Sequence, residues 1–192
     1  MSLLRAFIAV EIPLEIQRNI HRETAVFRKG IDSLVRWVPA ENMHLTVKFL
    51  GDVSPSNVEF LIQMLRNEAE NVHCFSIHLA GLGAYPSLKR PRVLYIGMQA
   101  PAGLDALQRG IEASSRRLGY ESEERPFSPH LTLGRVKQDA SNAERAALGG
   151  IIKTFPEAIF GTVYADAVQL IASDLQPTGP VYTTVARVTF KS

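Results

Sequence analysis

The 192-residue sequence contains a single cysteine, Cys74, and its formal net charge is only +2. One cysteine cannot form a disulfide within the chain, and no cluster of cysteines and histidines has the spacing of a zinc site, so we expect a reducing, cytoplasmic environment. The small net charge excludes a protein coated with positive charge for nucleic-acid binding. Basic residues cluster only locally, at Lys89, Arg90 and Arg92, at Arg116 and Arg117, and at Arg125, Arg135 and Lys137.

Long hydrophobic runs are also absent. The apolar stretch near the beginning of the sequence is interrupted by Arg5 and Glu11, is too short to span a membrane and lacks the order of a signal peptide. We therefore predict a buried first strand and no contact with membranes. Apolar residues make up 46% of the sequence and charged residues 21%, which is typical of a globular protein with one core or two closely packed lobes.

One tripeptide occurs twice, as His44-Leu45-Thr46 and as His130-Leu131-Thr132. Both copies lie in short runs rich in Val, Leu and Thr that are bounded by Pro, Asn or Gly, a pattern that predicts strands. Residues i and i+2 of a strand point to the same face, so each copy presents an imidazole and a hydroxyl together and turns its leucine into a core. Two such strands facing each other across a groove would suit acid and base catalysis on a phosphate.

The residues around both tripeptides resemble a known family. The segments W-V-P-A-E-N-M-H-L-T-V-K-F-L-G-D (37–52) and R-P-F-S-P-H-L-T-L-G-R (125–135) resemble the two signature motifs of the 2H phosphoesterases. More narrowly, they resemble the bacterial and archaeal RNA 2′,3′-cyclic phosphodiesterases, also called 2′-5′ RNA ligases. Four further stretches agree with that family, at 5–13, 81–86, 90–97 and 179–183, so the resemblance covers nearly the whole chain.

The resemblance implies a mixed α/β fold of the α+β type. Two pseudo-symmetric lobes with mostly antiparallel sheets, flanked by helices, would enclose an active-site cleft, and residues 1–192 would form one two-lobed domain. The hydrophobic pattern of the sequence fits alternating elements without a linker. It predicts helices at 14–29, 54–71, 103–118 and 141–154, strands at 42–49, 75–79, 92–98, 130–137, 158–172 and 181–190, and a long loop at 81–91.

The activity implied by the resemblance is hydrolysis of RNA 2′,3′-cyclic phosphate ends to 2′-phosphomonoesters, together with reversible 2′-5′ RNA ligation. His44 would be the general acid toward the leaving O3′, and His130 the general base on water. Imidazole titrates near pH ~6.5, so both protonation states are available at neutral pH. Thr46 and Thr132 can donate to the non-bridging phosphate oxygens, so neither a metal nor a cofactor is required. The expected partner of this monomeric enzyme is RNA with 2′,3′-cyclic phosphate or 2′-phosphate ends.

Three further residues are candidates for the site. Arg135 matches an arginine that binds phosphate in the family, although strict strand alternation places it opposite His130 unless Gly134 allows a bulge. Phe127 could stack a nucleobase or be an ordinary core residue. Alternation also places Lys48 on the face of His44, either near the groove or in solvent.

Three alternative functions remain open from the sequence. A cyclic phosphodiesterase for small nucleotides would differ only in its loops, and the basic residues at 89–92 favour RNA. A non-catalytic nucleotide-binding or RNA-binding module could spare the proton-transfer groups, so the two intact His-Thr pairs weigh against it. A metal hydrolase would need additional Asp, Glu or His ligands close to either tripeptide, and the sequence has none at ligand spacing.

Overall fold

The computed structural model describes residues 3–99, 101–177 and 179–191. The strands are β1 (Leu4–Glu11), β2 (Val35–Trp37), β3 (His44–Val53), β4 (Phe75–Tyr85), β5 (Val93–Gln99), β6 (Leu131–Val136), β7 (Ile159–Ala165), β8 (Ala167–Gln176) and β9 (Gly179–Thr189). The helices are α1 (Leu14–Glu23), α2 (Ala25–Lys29), α3 (Val58–Ala69), α4 (Ala102–Arg117) and α5 (Asn142–Thr154). Short 3-10 turns cover Ala40–Asn42 and Pro55–Asn57.

The strands form two antiparallel sheets, which confirms the predicted mixed α/β class. Sheet A has the order β3-β1-β8-β9, and sheet B has the order β2-β6-β5-β4-β7. Helices α3 and α4 pack on sheet A, whereas α1 and α5 contact sheet B. Each sheet carries one of the two tripeptides, at β3 and at the beginning of β6, and these two strands contact each other.

One face of each sheet is buried in a continuous hydrophobic core. This core contains Ile8 and Leu170 from sheet A as well as Leu94 and Phe160 from sheet B. The central leucines of the tripeptides, Leu45 and Leu131, are fully buried in it, as the alternation predicts. On sheet A, a second and smaller cluster of Phe7, Ala9 and Ile171, with Tyr182 packed beside it, lies on the opposite face. His44 and Tyr182 lie next to this cluster, because both of their rings contact Phe7.

Two predicted elements are divided in the structure. The predicted helix at 14–29 is interrupted at Thr24, whose hydroxyl donates to the Ile20 carbonyl at 2.7 Å. A threonine bonded back to the preceding turn competes with regular helical geometry. The predicted strand at 158–172 is two strands that separate at Asp166 and enter different sheets.

The predicted loop at 81–91 is shorter than expected, and β2 was not predicted. Strand β4 continues to Tyr85 because it passes an irregularity between Leu79 and Leu82 without losing its partner β5. Gly81 lies there with a φ of +71°, a conformation that glycine adopts without a steric penalty. β2 has only three residues and is defined by its pairing with β6, which periodicity along the sequence does not report.

Candidate active site

The two tripeptide histidines are held in the same way. Nδ1 of His44 lies 2.8 Å from the carbonyl oxygen of Asn42, and Nδ1 of His130 lies 2.8 Å from the carbonyl oxygen of Ser128. A carbonyl can only accept a hydrogen bond, so in both rings Nδ1 carries a proton and donates it. Nε2 is then the nitrogen that each ring offers to a substrate. Both bonds reach two residues back along the chain, which makes the two half-sites equivalent.

Aromatic rings enclose both imidazoles. Phe7 stacks on His44 with ring centroids 4.5 Å apart, and Tyr182 approaches the same ring edge-on at 5.2 Å. Tyr85 and Tyr95 approach His130 edge-on at 5.0 and 5.5 Å. The tyrosines at His130 come from β4 and β5, and the rings at His44 come from β1 and β9. Each histidine is thus oriented by two rings from its own sheet.

Sequence reasoning did not assign these four aromatic residues to the site. The available signal was the family resemblance, because its four supporting stretches at 5–13, 81–86, 90–97 and 179–183 each contain one of them. Gly83 also contributes, since a Cβ at this position would lie 2.3 Å from the ring of Tyr95. The absence of a side chain at Gly83 therefore gives Tyr95 the space it occupies beside Tyr85, with ring centroids 4.4 Å apart.

Each motif strand bulges immediately after its threonine. On β3, Thr46 pairs with Ala9 and Lys48 pairs with Ile8, which leaves Val47 as the extra residue. On β6, Leu133 is the extra residue, because its two neighbours pair with consecutive residues of β5. A bulge shifts the alternation of side chains by one position. The residue three positions after each threonine, and not the residue two positions after it, then shares the face of the histidine.

The bulges decide where Lys48 and Arg135 point. The prediction that Lys48 lies on the face of His44 is wrong: its side chain is buried, and Nζ donates to Glu112 Oε2 at 2.9 Å and to the carbonyl of Glu121 at 2.8 Å. Phe49, which is exposed, takes that place on the site face. Arg135 is the equivalent residue on β6, and it is exposed on the face of Thr132.

The strands that carry the two half-sites contact each other. Burial raises the pKa of Tyr182, and the positive charges of Arg135 and Arg5 oppose this rise. Arg135 belongs to sheet B and Tyr182 to sheet A, and Tyr182 contacts His44. Arg135 therefore lies within electrostatic reach of the first half-site while sharing a strand with Thr132.

The remaining candidate residues occupy distinct positions. Thr46 and Thr132 are partly exposed on the site faces of their strands. Phe127 is partly buried and packs against the main core, and the rings that contact His130 are those of Tyr85 and Tyr95.

The protonation of His44 is biased by its surroundings. Burial lowers the pKa of His44 from its ordinary value, and the hydrogen bond to the Asn42 carbonyl partly opposes this effect. Without a ligand, the ring is therefore favoured in its neutral form at neutral pH. A neutral imidazole with a proton on Nδ1 offers Nε2 as a hydrogen-bond acceptor.

Within residues 3–99, 101–177 and 179–191, no three His, Cys, Asp or Glu side chains group together in a way that could hold a metal ion. Over those ranges, no helix has both the length and the apolar character needed to cross a membrane.

Comparison with known proteins agrees with the two-part site. A family model described as LigT like Phosphoesterase matches the chain twice, over residues 10–95 and 96–182. This chain belongs to the LigT-like phosphoesterase family. Each of the two matches contains one His-Leu-Thr tripeptide, so the family pattern divides between the half-sites. The resemblance identified from the sequence is thereby confirmed.

Individual members of the LigT-like phosphoesterase family are similar over the full length. An RNA 2′,3′-cyclic phosphodiesterase from Methanothermobacter thermautotrophicus is 31% identical over 180 residues, covering 94% of this chain and 95% of that protein. The crystal structure of E. coli LigT complexed with NADP+ superposes with a TM-score of 0.80 at 28% identity and covers 100% of both chains. E. coli LigT complexed with 3′-AMP gives a TM-score of 0.78 at 26% identity, with 99% of each chain covered.

Proposed function

We propose that this protein is an RNA 2′,3′-cyclic phosphodiesterase, which opens cyclic phosphate ends to 2′-phosphomonoesters. The observation that carries this proposal is the matched pair of histidines, each with Nδ1 bound to a carbonyl and Nε2 available, beside a threonine on the same strand face. The name of the archaeal relative and the nucleotide complex of E. coli LigT support the choice of a nucleotide phosphodiester as substrate.

The reaction needs one proton removed and one proton supplied. In the proposed mechanism, neutral His130 takes a proton from water at Nε2 as the water oxygen attacks phosphorus. The bond from phosphorus to O3′ breaks, and His44 supplies the proton that makes O3′ a hydroxyl. One water is consumed, and the product carries a 2′-phosphate and a free 3′-hydroxyl. In 2′-5′ ligation, a 5′-hydroxyl attacks phosphorus in place of water and O3′ again leaves, so His130 and His44 keep these roles. They exchange roles only when the 2′-5′ bond is cleaved back to the cyclic phosphate, by microscopic reversibility.

The other site residues stabilise the negative phosphate. The hydroxyls of Thr46 and Thr132 donate to the non-bridging oxygens, and Arg135 adds a positive charge on the same face. His44 must be protonated to act as the acid, although burial lowers its pKa in the free protein. A bound phosphate anion favours the imidazolium form, so we expect His44 to take up a proton when substrate binds.

We propose that residues 1–192 act as one two-lobed domain in a monomeric, cytoplasmic enzyme that needs no metal. The continuous core between the two sheets supports the single domain. The solitary Cys74, which is unpaired in the structure, supports a reducing compartment.

The first experiment tests chemistry and product together. The purified protein should hydrolyse an oligoribonucleotide that ends in a 2′,3′-cyclic phosphate in the presence of excess chelator, and the product should be a terminal 2′-phosphate. His44→Ala and His130→Ala should each lower kcat by a factor of about 10² to 10⁴. The double variant should lose less than the product of the two single losses, because the two groups act as a unit.

A matched control is His21→Ala, since His21 is an exposed histidine of α1. This variant should retain normal turnover. Loss of activity in chelator would contradict metal independence, and a 3′-phosphate product would contradict O3′ as the leaving group. A folded His130→Ala protein with unchanged turnover would instead favour the non-catalytic binding module.

A further inference from the structure

A second arginine, Arg36, lies directly beside Arg135. β2 and β6 pair so that Val35 opposes Val136, Arg36 opposes Arg135 and Trp37 opposes Gly134. Val35 is buried in the core and Trp37 packs against it, so Arg36 points to the other face of the sheet, where it is exposed. This is the face that carries Thr132 and Arg135. Arg36 therefore lies at the edge of the proposed cleft.

Arg36 and Arg135 are like charges on directly opposed residues of two antiparallel strands. Cβ atoms of directly opposed residues in antiparallel strands lie about 4.5–5.5 Å apart, and like charges in that position repel each other. The ion pairs among the described residues involve Arg22, Lys48, Arg66 and Arg187, and include neither Arg36 nor Arg135. Two opposed arginines that take part in none of these ion pairs offer several planar donors, which suits an anion with several oxygens.

We propose that Arg36, next to Arg135, binds a backbone phosphate of the RNA adjacent to the cyclic phosphate. Neighbouring strands are about 4.8 Å apart, so Arg36 lies one strand further from Thr132 than Arg135 does. Arg135 faces the reacting phosphate, and Arg36 extends the positive charge toward the next phosphate of the RNA chain. This inference rests on the proposed function and deepens it, because it makes the enzyme selective for a polymer over a single nucleotide.

Comparison of two substrates tests the proposal. A nucleoside 2′,3′-cyclic phosphate has only the reacting phosphate, whereas an oligoribonucleotide with the same end also has backbone phosphates. Arg36→Ala should lower kcat/KM for the oligonucleotide by about tenfold, as expected for one charge-assisted contact, and leave the mononucleotide nearly unchanged. The slope of log binding constant against log salt should become shallower by about 0.7 for the oligonucleotide.

Two further variants sharpen this test. Arg36→Lys keeps the charge but loses the planar donors, and should give an intermediate loss with the oligonucleotide. Arg109→Ala removes one positive charge from the exposed side of α4 and should leave both substrates unchanged. The melting temperature of Arg36→Ala should equal or exceed that of the wild type, because one of two repelling charges is gone.

The possible outcomes separate the inference from the proposed function. Equal losses with both substrates would overturn the inference, since Arg36 would then act on the reacting phosphate or on the fold. No loss with either substrate would also overturn it and leave Arg36 as a solvated surface residue. Failure of the wild type to hydrolyse either substrate would instead contradict the proposed function itself.

Discussion

His44 is the histidine whose protonation is most directly set by its neighbours. It lies between Phe7 and Tyr182, and burial lowers its pKa. We expect its imidazole resonance in an NMR titration of the free protein to have a midpoint below about 6.5. Addition of a nucleoside 2′-monophosphate should move that midpoint upward, because the phosphate favours the charged ring. His44→Gln identifies the resonance by its loss.

The same titration has a consequence for stability. The folded state binds this proton less readily than the unfolded state, since the folded pKa is the lower one. The contribution of neutral His44 to the free energy of unfolding is therefore complete above the pKa of the unfolded state, about 6.5. This contribution is lost as the pH falls through the pKa of the folded state. The free energy of unfolding of His44→Gln should lack this component of the pH dependence. A midpoint at or above 6.5 in the free protein would contradict burial as the controlling effect.

Among the secondary-structure elements, β3 and α4 are joined by a buried ion pair. Lys48 Nζ is bound to Glu112 and to the carbonyl of Glu121, and the other carboxylate oxygen of Glu112 accepts from the amide of Glu123 at 3.1 Å. The first motif strand thereby holds the segment that leads to Phe127 and His130. The two half-sites are connected through this ion pair as well as through the contact between β3 and β6.

Lys48→Met should be strongly destabilising, because it leaves the partly buried Glu112 carboxylate without its cation. We expect a loss on the order of 3 kcal/mol in the free energy of unfolding, measured by chemical denaturation. The double variant Lys48→Met/Glu112→Leu should recover part of the lost stability. We also expect kcat of Lys48→Met to fall, because the segment before His130 loosens.

The exposed pair Arg66 and Glu59 is a suitable control for Lys48→Met. Its closest nitrogen and oxygen are 3.7 Å apart, and both side chains are largely exposed. Arg66→Met should change stability by less than about 1 kcal/mol. Similar losses of stability in Lys48→Met and Arg66→Met would show that the buried ion pair contributes no more to the free energy of unfolding than the exposed one.

The motif strands also show which structural features can be predicted from local sequence patterns and which cannot. Alternation correctly predicts that Leu45 and Leu131 are buried, because both residues precede the bulges. It failed at Lys48, since a bulge depends on how β1 pairs with β3 and leaves no trace in the hydrophobic pattern. In the second motif, Gly134 gave a hint of a bulge, and the first motif has no such glycine. The contacts of the Tyr182 and Tyr95 rings with the histidines depend on the order of strands in each sheet. Strand order is a long-range property that local sequence patterns do not report.

At the scale of the whole molecule, we expect the core shared by both sheets to make them unfold as one cooperative unit. Trp37 is the only tryptophan and reports on sheet B, whereas far-ultraviolet circular dichroism reports on both sheets. The two signals should change with the same midpoint and the same steepness in urea, as expected for two-state unfolding. An earlier transition at Trp37 would contradict the single domain and show that sheet B unfolds separately.

The strand order of sheet A has a consequence for synthesis on the ribosome. β1 lies between β3 and β8, so its second edge stays open until residues 167–176 have been translated. Both histidines leave the ribosome well before Tyr182, which completes the surroundings of His44. A nascent chain that stops before β8 therefore contains both tripeptides, but sheet A, which carries His44, is unfinished and has an unpaired edge. Such a state is prone to aggregation and to chaperone binding. We expect hydrolysis of RNA ends to begin only after β9 has been translated and has joined sheet A.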